Sequence, residues 1–292
     1  MNTTGSEKYE VGDVEIFRIS ETVLNSMSIA SLLPDFNLTN ESTISENTTN
    51  LESVNLSIHT WLLKTKKHTI IIDPGVGNCK ERPFTPNFHH LNTPFLKRLR
   101  KTGFKPKDVD YVLMTHLHVD HIGWNTTYSD GEWIPTFPNA EYIFSKKEYE
   151  FFNDPVNHND RNKSSVIVQG DSIQPIINAE LASMIMVDDY EVVDGLIFKS
   201  TPGHSIDHAS ITLSSKGENA LFSGDLFHTP VQIKYPELNS IYDAFEDLAL
   251  PSRHWGIEYV LDQKATIFSS HFPESSVGQI VKNDSEYVWK YI

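Results

Sequence analysis

Residues 11–24 (VGDVEIFRISETVL) alternate apolar and polar side chains, the period of a strand with one face buried and one in water. Two longer apolar runs follow, LSIHTWLLKT from Leu56 and HTIIIDPGVG from His68, flanking Lys66-Lys67. That pattern predicts a hairpin of two well-buried strands. Residues 94–104 (PFLKRLRKTGF) have helical spacing and end at Gly103, a residue suited to a helix C-cap. A short β-type run, DYVLMT at 110–115, opens into a cluster of histidines. Residues 141–152 pass from a strand (EYIF) to a helix (KKEYEFF), and 165–182 have helical spacing throughout. Strands then crowd together in MIMV, YEVV, LIFKSTPG, ASITLSS and NALFSGD; a helix is expected at 242–262 and a last strand, ATIFSS, at 265–270.

One stretch differs in character. Residues 24–54 read as a long polar insertion, with Ser, Thr, Asn and Glu crowded at 37–50 and no apolar period. The expectation is an exposed loop acting as a lid or dimer arm. Its sequons, Asn40-Glu41-Ser42 and Asn47-Thr48-Thr49, are taken as a by-product of Asn-rich composition. The two halves of the chain resemble each other weakly. TIIIDPG (69–75) and ALFSGD (220–225) are buried strands running into Asp, and DYVLMTH and ATIFSSH are strands running into His. Two β-rich halves with helices outside would bring all four strand ends to one rim. The expected fold is therefore α/β, a four-layer αββα sandwich, with residues 1–292 as one domain.

Composition narrows the function. Lys and Arg number 24 against 39 Asp and Glu, a formal net charge of −15, so a non-specific nucleic-acid binder is not expected. The solitary Cys79 excludes an intramolecular disulfide framework and a four-cysteine zinc site. No run approaches the roughly 18 apolar residues of a membrane span, and MNTTGSEKYEVGD has neither the basic start nor the apolar run of a secretory signal. A soluble cytoplasmic protein is the expectation.

The chemistry concentrates at residues 115–124, THLHVDHIGW. His116 and His118 alternate after a strand and point two imidazoles the same way, as one metal requires; Asp120 and His121 continue past the turn and reach a second ion. More ligands are needed, and three strand ends offer them: His204 in Thr201-Pro202-Gly203-His204, Asp225 in Ser223-Gly224-Asp225, and His271 in Ser269-Ser270-His271. Asp225, an anion, is suited to bridging two cations.

This order of H-x-H-x-D-H, then His, Asp and His, resembles the metallo-β-lactamase superfamily over residues 11–285. The resemblance implies one divalent ion on His116, His118 and His204, a second on Asp120, His121 and His271, and Asp225 between them. Zinc is the expected ion, with Mn, Fe or Co also compatible with His and Asp ligation. Asp73 matches a position that hydrogen-bonds the histidine loop; it would otherwise cap the turn before Pro74-Gly75. HLHVDHIGWNT, DGEWIPTFPNAEYIF, FSGDLFHTPVQ and SHFPESSVG are similar to a branch containing quorum-quenching lactonases and methyl-parathion-hydrolase-like enzymes. Two such ions would activate a shared water and polarise a carbonyl or phosphoryl oxygen, with Asp120 returning a proton to the leaving alkoxide. The implied substrate is a small uncharged lactone or carboxylic ester, the alternative a phosphotriester, and a homodimer is compatible with the family.

One departure stands out. Homoserine lactonases of this superfamily carry a tyrosine shortly after the bridging Asp, whereas Asp225 is followed by Leu226-Phe227-His228-Thr229. His228 takes over that substrate contact or packs beneath the site. Trp124, Phe227 and Phe272 flank ligands and line an apolar cleft or belong to the core. His89, His90 and His158 read as solvated, as does Arg253-His254 on a helix, and nothing marks Cys79 as a nucleophile. Other readings fit less well. A β-lactamase lacks a convincing Lys or Asn for the drug carboxylate, a glyoxalase II needs more chain after His271, and a nuclease needs a basic surface. A flavodiiron protein needs Glu at the position of His118, and a non-catalytic module would have lost a ligand.

Overall fold

Alternation along each strand decides which layer every side chain enters. The computed structural model describes residues 7–36, 52–193, 195–284 and 286–292. In chain order the strands of the first half are β1 (Glu7–Val11), β2 (Val14–Ser28), β3 (Ser53–Lys64), β4 (Thr69–Ile72), β5 (Tyr111–Leu113), β6 (Thr126–Ser129), β7 (Glu132–Pro135), β8 (Glu141–Ser145) and β9 (Ala182–Ile185). Those of the second are β10 (Glu191–Val193), β11 (Leu196–Ser200), β12 (Ala209–Ser215), β13 (Glu218–Phe222), β14 (Thr266–Phe268), β15 (Val277–Asn283) and β16 (Glu286–Tyr291). They form two seven-stranded sheets, ordered β1-β2-β3-β4-β5-β8-β9 and β10-β11-β12-β13-β14-β15-β16, while β6 and β7 pair as a separate hairpin.

On β4, Ile70 and Ile72 enter the core between the sheets and Ile71 enters the opposite one; on β13, Ala220 and Phe222 face inward and Leu221 outward. The outer face of the first sheet is covered by α2 (Phe95–Lys101), α3 (Lys146–Asn153), α4 (Ser165–Ser172) and α5 (Gln174–Asn178), through Phe95, Leu99, Phe152, Val168 and Ile176. The second sheet is covered by α6 (Val231–Lys234) and α7 (Glu246–Gln263), through Ile233, Ile257 and Val260. This is the expected αββα sandwich. Because helices cover its outer side, β2 is buried on both faces over much of its first half, with Ile16 in one core and Phe17 and Ile19 in the other; the expectation of a half-buried strand does not hold there.

Other sequence-based expectations also change. Residues 24–36 are not part of a polar insertion. β2 continues to Ser28 through register shifts, and α1 (Ile29–Leu32) follows. Ile29, Leu32, Leu33 and Phe36 pack against Val54, Leu56 and Leu238 in a core of their own. The lid or dimer-arm reading then falls on residues 37–51, with both sequons, and these lie outside the described residues. The helix expected at 165–182 divides at Ile173, restarts with Pro175 in its first turn, and gives way to β9 at Ala182. In a continuous helix the Pro175 ring would clash with the carbonyl of Asp171, whereas a helix start tolerates it. The helix expected from 242 begins at Glu246, because Ala244 and Phe245 donate their backbone N–H groups to His204 and Gly203 instead. The β15–β16 and β6–β7 hairpins were not anticipated.

Trp61 joins the layers. It is 1% exposed, and its ring meets Tyr9, Phe222 and Phe268 edge-on across the inter-sheet core. Truncating such a ring removes its buried area and leaves a cavity, so Trp61→Ala is expected to cost about 3–5 kcal/mol, read as a lowered urea midpoint with an unchanged slope.

Candidate metal centre

Two parallel strand pairs build the floor of the site. β4 runs parallel to β5, and β13 parallel to β14, so the residues after these strands lie side by side on one rim: Asp73 with the 115–121 loop, and Asp225 with His271. Asp73 adopts φ 52° and turns its carboxylate onto the loop. Its Oδ1 accepts the Thr115 backbone N–H at 2.8 Å, and Oδ2 accepts the Thr115 hydroxyl at 2.8 Å and lies 3.0 Å from His121 Nδ1. The far end of the loop is stitched to the same turn by Gly123 N–H to the Gly75 carbonyl at 2.6 Å and Trp124 N–H to the Pro74 carbonyl at 2.7 Å. A Cβ on Gly123 would stand 1.7 Å from the Val76 carbonyl oxygen, so glycine is required there.

All of the residues expected as ligands come together. His118 Nδ1 lies 2.8 Å, and His116 Nε2 3.1 Å, from His204 Nε2. On the other side, His121 Nε2 and His271 Nε2 approach Asp225 Oδ1 at 3.2 and 3.0 Å, with Asp120 at 3.9 and 3.8 Å. Asp225 lies between the groups, its Oδ2 3.3 Å from His204 Nε2. Each of the sets His116, His118, His204 and Asp120, His121, His271 keeps its ligand atoms within 4.8 Å.

The donor chemistry fits a divalent ion. His116 Nδ1 faces the Thr115 hydroxyl at 3.0 Å, His121 Nδ1 faces Asp73, and His271 Nδ1 faces the Ser57 carbonyl at 2.9 Å. A ring proton directed outward leaves the Nε2 lone pair directed inward. His121 Nε2 and Asp225 Oδ1 are buried with no hydrogen-bond partner among the described residues, and lone pairs this close are relieved by a proton or a metal cation between them. The field agrees. Burial pushes His116 and His118 well below the usual imidazole range. For His121 burial opposes the cation, yet the Asp225, Asp73 and Asp120 carboxylates outweigh it and hold the ring well above that range. Burial likewise opposes ionised Asp225, but His121, His271 and His204 hold it well below the usual carboxylate range. A region that favours a proton on buried imidazole favours a metal cation more strongly.

The histidine motif did not disclose every residue of the site. His208, four residues after His204, accepts the Asp225 backbone N–H at Nε2 (2.9 Å), and its Nδ1 lies 3.0 Å from the Thr201 carbonyl. Burial pushes it down to about 3, which keeps it neutral and able to accept. Glu148, in the first turn of α3, joins two ligand loops. Its carboxylate accepts the Leu117 N–H at 3.3 Å and the Asp207 N–H at 2.8 Å. The sequence does not show that this Glu is buried, and its partners lie 31 and 59 positions away.

Some expected roles change. Trp124 is core: it stacks on Phe95 at 4.8 Å and donates Nε1–H to Glu21 at 2.6 Å. Phe227 and Phe272 pack with Leu221 and Ile257 in the core beneath the second sheet. None of the three lines a cleft. Arg253 is buried rather than solvated, donating to the Pro236 carbonyl, Asn239 and Asp243, while His254 is exposed. His158 is half-buried, with Nε2 3.0 Å from the Phe152 carbonyl. Cys79, His89 and His90 are exposed. The trio Glu81, His89 and His90 is close enough to chelate, but His89 Nδ1 accepts the Arg82 N–H at 2.9 Å; the neutral ring then carries its proton on Nε2 and has no lone pair to offer.

His228 is buried, parallel to His271 at 5.9 Å, with Nε2 3.5 Å from Asp225 Oδ2 and neither ring nitrogen hydrogen-bonded among the described residues. Tyr242 lies 5.5 Å from it. Since His118, Val119, Asp120 and Tyr242 are half-buried while the other candidate ligands and His228 are buried, the site opens on their side.

Comparison with known proteins agrees with this geometry. The family profile described as Metallo-beta-lactamase superfamily matches residues 54–271. The chain belongs to the metallo-β-lactamase superfamily. Among curated relatives, an N-acyl homoserine lactonase of Bacillus cereus is 26% identical over 238 residues, covering 77% of this chain and 85% of that protein. Among solved structures, the hydrolase AbOPH of the β-lactamase superfamily is 28% identical with a TM-score of 0.81, covering 100% of this chain and 99% of the other. AidC, a dizinc quorum-quenching lactonase in complex with a product, shares the fold at a TM-score of 0.79 and 24% identity, over 99% and 97% of the two chains. The relatives of this superfamily member are thus metal-dependent hydrolases, and its own buried histidines and carboxylates are suited to divalent metal. No helix among the described residues is long and apolar enough to cross a membrane.

Glu148→Ala removes none of the candidate ligands but unties the loop of His116 and His118 from the loop that follows His204. Zinc affinity, measured by chelator competition, is expected to fall about 10–100-fold, with the ion count recovered at saturating metal.

Proposed function

We propose that this protein is a binuclear metal-dependent hydrolase that opens lactones or cleaves uncharged carboxylic esters. The observation that carries the reading is the shared carboxylate: Asp225 stands between the His116, His118, His204 set and the Asp120, His121, His271 set, in reach of both. In this reading those sets hold one divalent ion each, with zinc the first choice given the His-rich donors. Ions held there would supply activation of a water and polarisation of the substrate carbonyl.

The side chains supply the rest. Asp120 is the carboxylate on the open side, 17% exposed at its side chain, and is placed to carry a proton to the departing alkoxide oxygen. In a lactone that oxygen stays tethered, so the product is a hydroxy acid. His228 lies deeper, with neither ring nitrogen hydrogen-bonded among the described residues, and is assigned a hydrogen bond to the substrate oxygen that gains charge in the transition state. Tyr242, half-buried beside it, and Val119, half-buried between His118 and Asp120, give the opening apolar surface, which suits an uncharged substrate with an apolar substituent. Homology to N-acyl homoserine lactonases supports a lactone, while the absence of a tyrosine in Leu226-Phe227-His228-Thr229 departs from the family pattern.

The test is ring opening by the metal-loaded protein, followed by proton release on lactones ranging from small γ-lactones to long-chain acyl-homoserine lactones. Turnover is expected to rise with acyl length, and Asp120→Asn is expected to lower kcat at least about 100-fold. Absence of turnover on every lactone with two ions bound would turn the reading toward phosphotriesters, which the same ligands would serve. His228→Leu is expected to keep both ions, by elemental analysis, and to lose about 100-fold in kcat; unchanged kcat would reduce His228 to a packing residue.

A further inference from the structure

The turn before α7 is built onto the loop that carries His204. Ala244 N–H donates to the His204 carbonyl at 3.1 Å and Phe245 N–H to the Gly203 carbonyl at 2.8 Å. The Ser252 hydroxyl, about two turns further on, donates to the Pro202 carbonyl at 2.6 Å. Gly203 adopts φ +139°, and a Cβ there would stand 2.3 Å from Ala249 Cα; only glycine lets the loop and α7 approach so closely.

This docking sets Asp243 behind His204. Asp243 and Arg253 are 2% and 1% exposed. Asp243 Oδ2 accepts the Ser240 N–H at 2.8 Å and the Arg253 guanidinium at 3.1 Å. Arg253 is itself held by the Pro236 carbonyl at 2.6 Å and the Asn239 side chain at 2.5 Å. The other carboxylate oxygen, Oδ1, faces His204 Nδ1 at 3.7 Å, and that nitrogen is buried with no hydrogen-bond partner among the described residues. His116, His121 and His271 each have an outward acceptor, in Thr115, Asp73 and the Ser57 carbonyl. Behind His204 Nδ1, Asp243 Oδ1 is the oxygen in the corresponding outward position.

We infer that Asp243, oriented by Arg253, is a positioning residue for His204: it accepts a hydrogen bond from Nδ1–H, fixes the tautomer and presents Nε2 to the ion shared with His116 and His118. A carboxylate behind a ligating imidazole fixes the ring and raises its basicity. The guanidinium lets that carboxylate remain charged in a buried place, since an unpaired charge there would be strongly disfavoured. Asp73 does the same for His121 from the other sheet, so each ligand set has one carboxylate-backed imidazole. The inference rests on the reading of His204 as a ligand and needs no particular substrate.

The test titrates cobalt(II) and zinc into the metal-free full-length protein and its Asp243→Asn, Asp243→Glu and Arg253→Lys variants, recording affinity and the visible cobalt spectrum. Asp243→Asn is expected to lose about 10–100-fold in affinity at one of two ions and to shift the cobalt band. Asp243→Glu and Arg253→Lys are expected to recover part of that loss, and they keep the inference testable if the asparagine variant folds poorly. Affinities and spectra equal to wild type in all three would overturn the inference, even if the wild type opens lactones. So would a third ion in the wild type that Asp243→Asn abolishes, because His204, His228 and Asp243 would then ligate directly. Site-specific loss supports it whether or not any lactone is turned over.

Discussion

A buried carboxylate facing imidazoles from both sheets is the constraint around which the rest of this structure is arranged. Asp225 sits at the end of β13 and meets His121 from the first sheet and His271 from the second at 3.2 and 3.0 Å. An ionised group at this depth is tolerated only where positive charge surrounds it. Meeting that condition requires the two sheets to stack in one alignment, so the inter-sheet core around Trp61, Phe222 and Phe268 sets the electrostatics of the site as well as its stability.

Around Asp225 runs a ring of polar residues that touch the candidate ligands from outside. Asp73 fixes the start of the histidine loop and backs His121, while His208 holds the Asp225 backbone. Glu148 ties the loop of His116 and His118 to that of Asp207, and Asp243 stands behind His204. Each is buried and charged or hydrogen-bonded, and each comes from an element different from the one it orients. The geometry is therefore held by several layers of the sandwich at once. The inward nitrogens lie ready-placed, which lowers the ordering that metal binding would otherwise require.

The substrate side contrasts with this interior. His118, Val119, Asp120 and Tyr242 are the half-buried residues at the opening, a mixture of apolar surface and one carboxylate. The aromatic residues nearest the ligands in sequence, Trp124, Phe227 and Phe272, face away into the cores. Adjacency in sequence to a ligand thus says little about adjacency to a substrate, because neighbours along an extended segment point to opposite sides.

What the sequence by itself determined is what local pattern encodes. Strand alternation, the H-x-H-x-D-H spacing and the four strands running into Asp or His were enough to predict the αββα layering and the set of candidate ligands, since period and spacing act over a few residues. Only the tertiary structure decided the partners. Arg253 read as a solvated helix residue until Asp243 and the Pro236 carbonyl proved to enclose it. Residues 24–36 read as polar insertion until Leu238, more than two hundred positions away, closed a core over them. Glu148, His208 and Asp243 carry no motif at all. Their roles arise from hydrogen bonds and facing charges between elements that meet only when the sheets stack, and one-dimensional spacing does not contain that information.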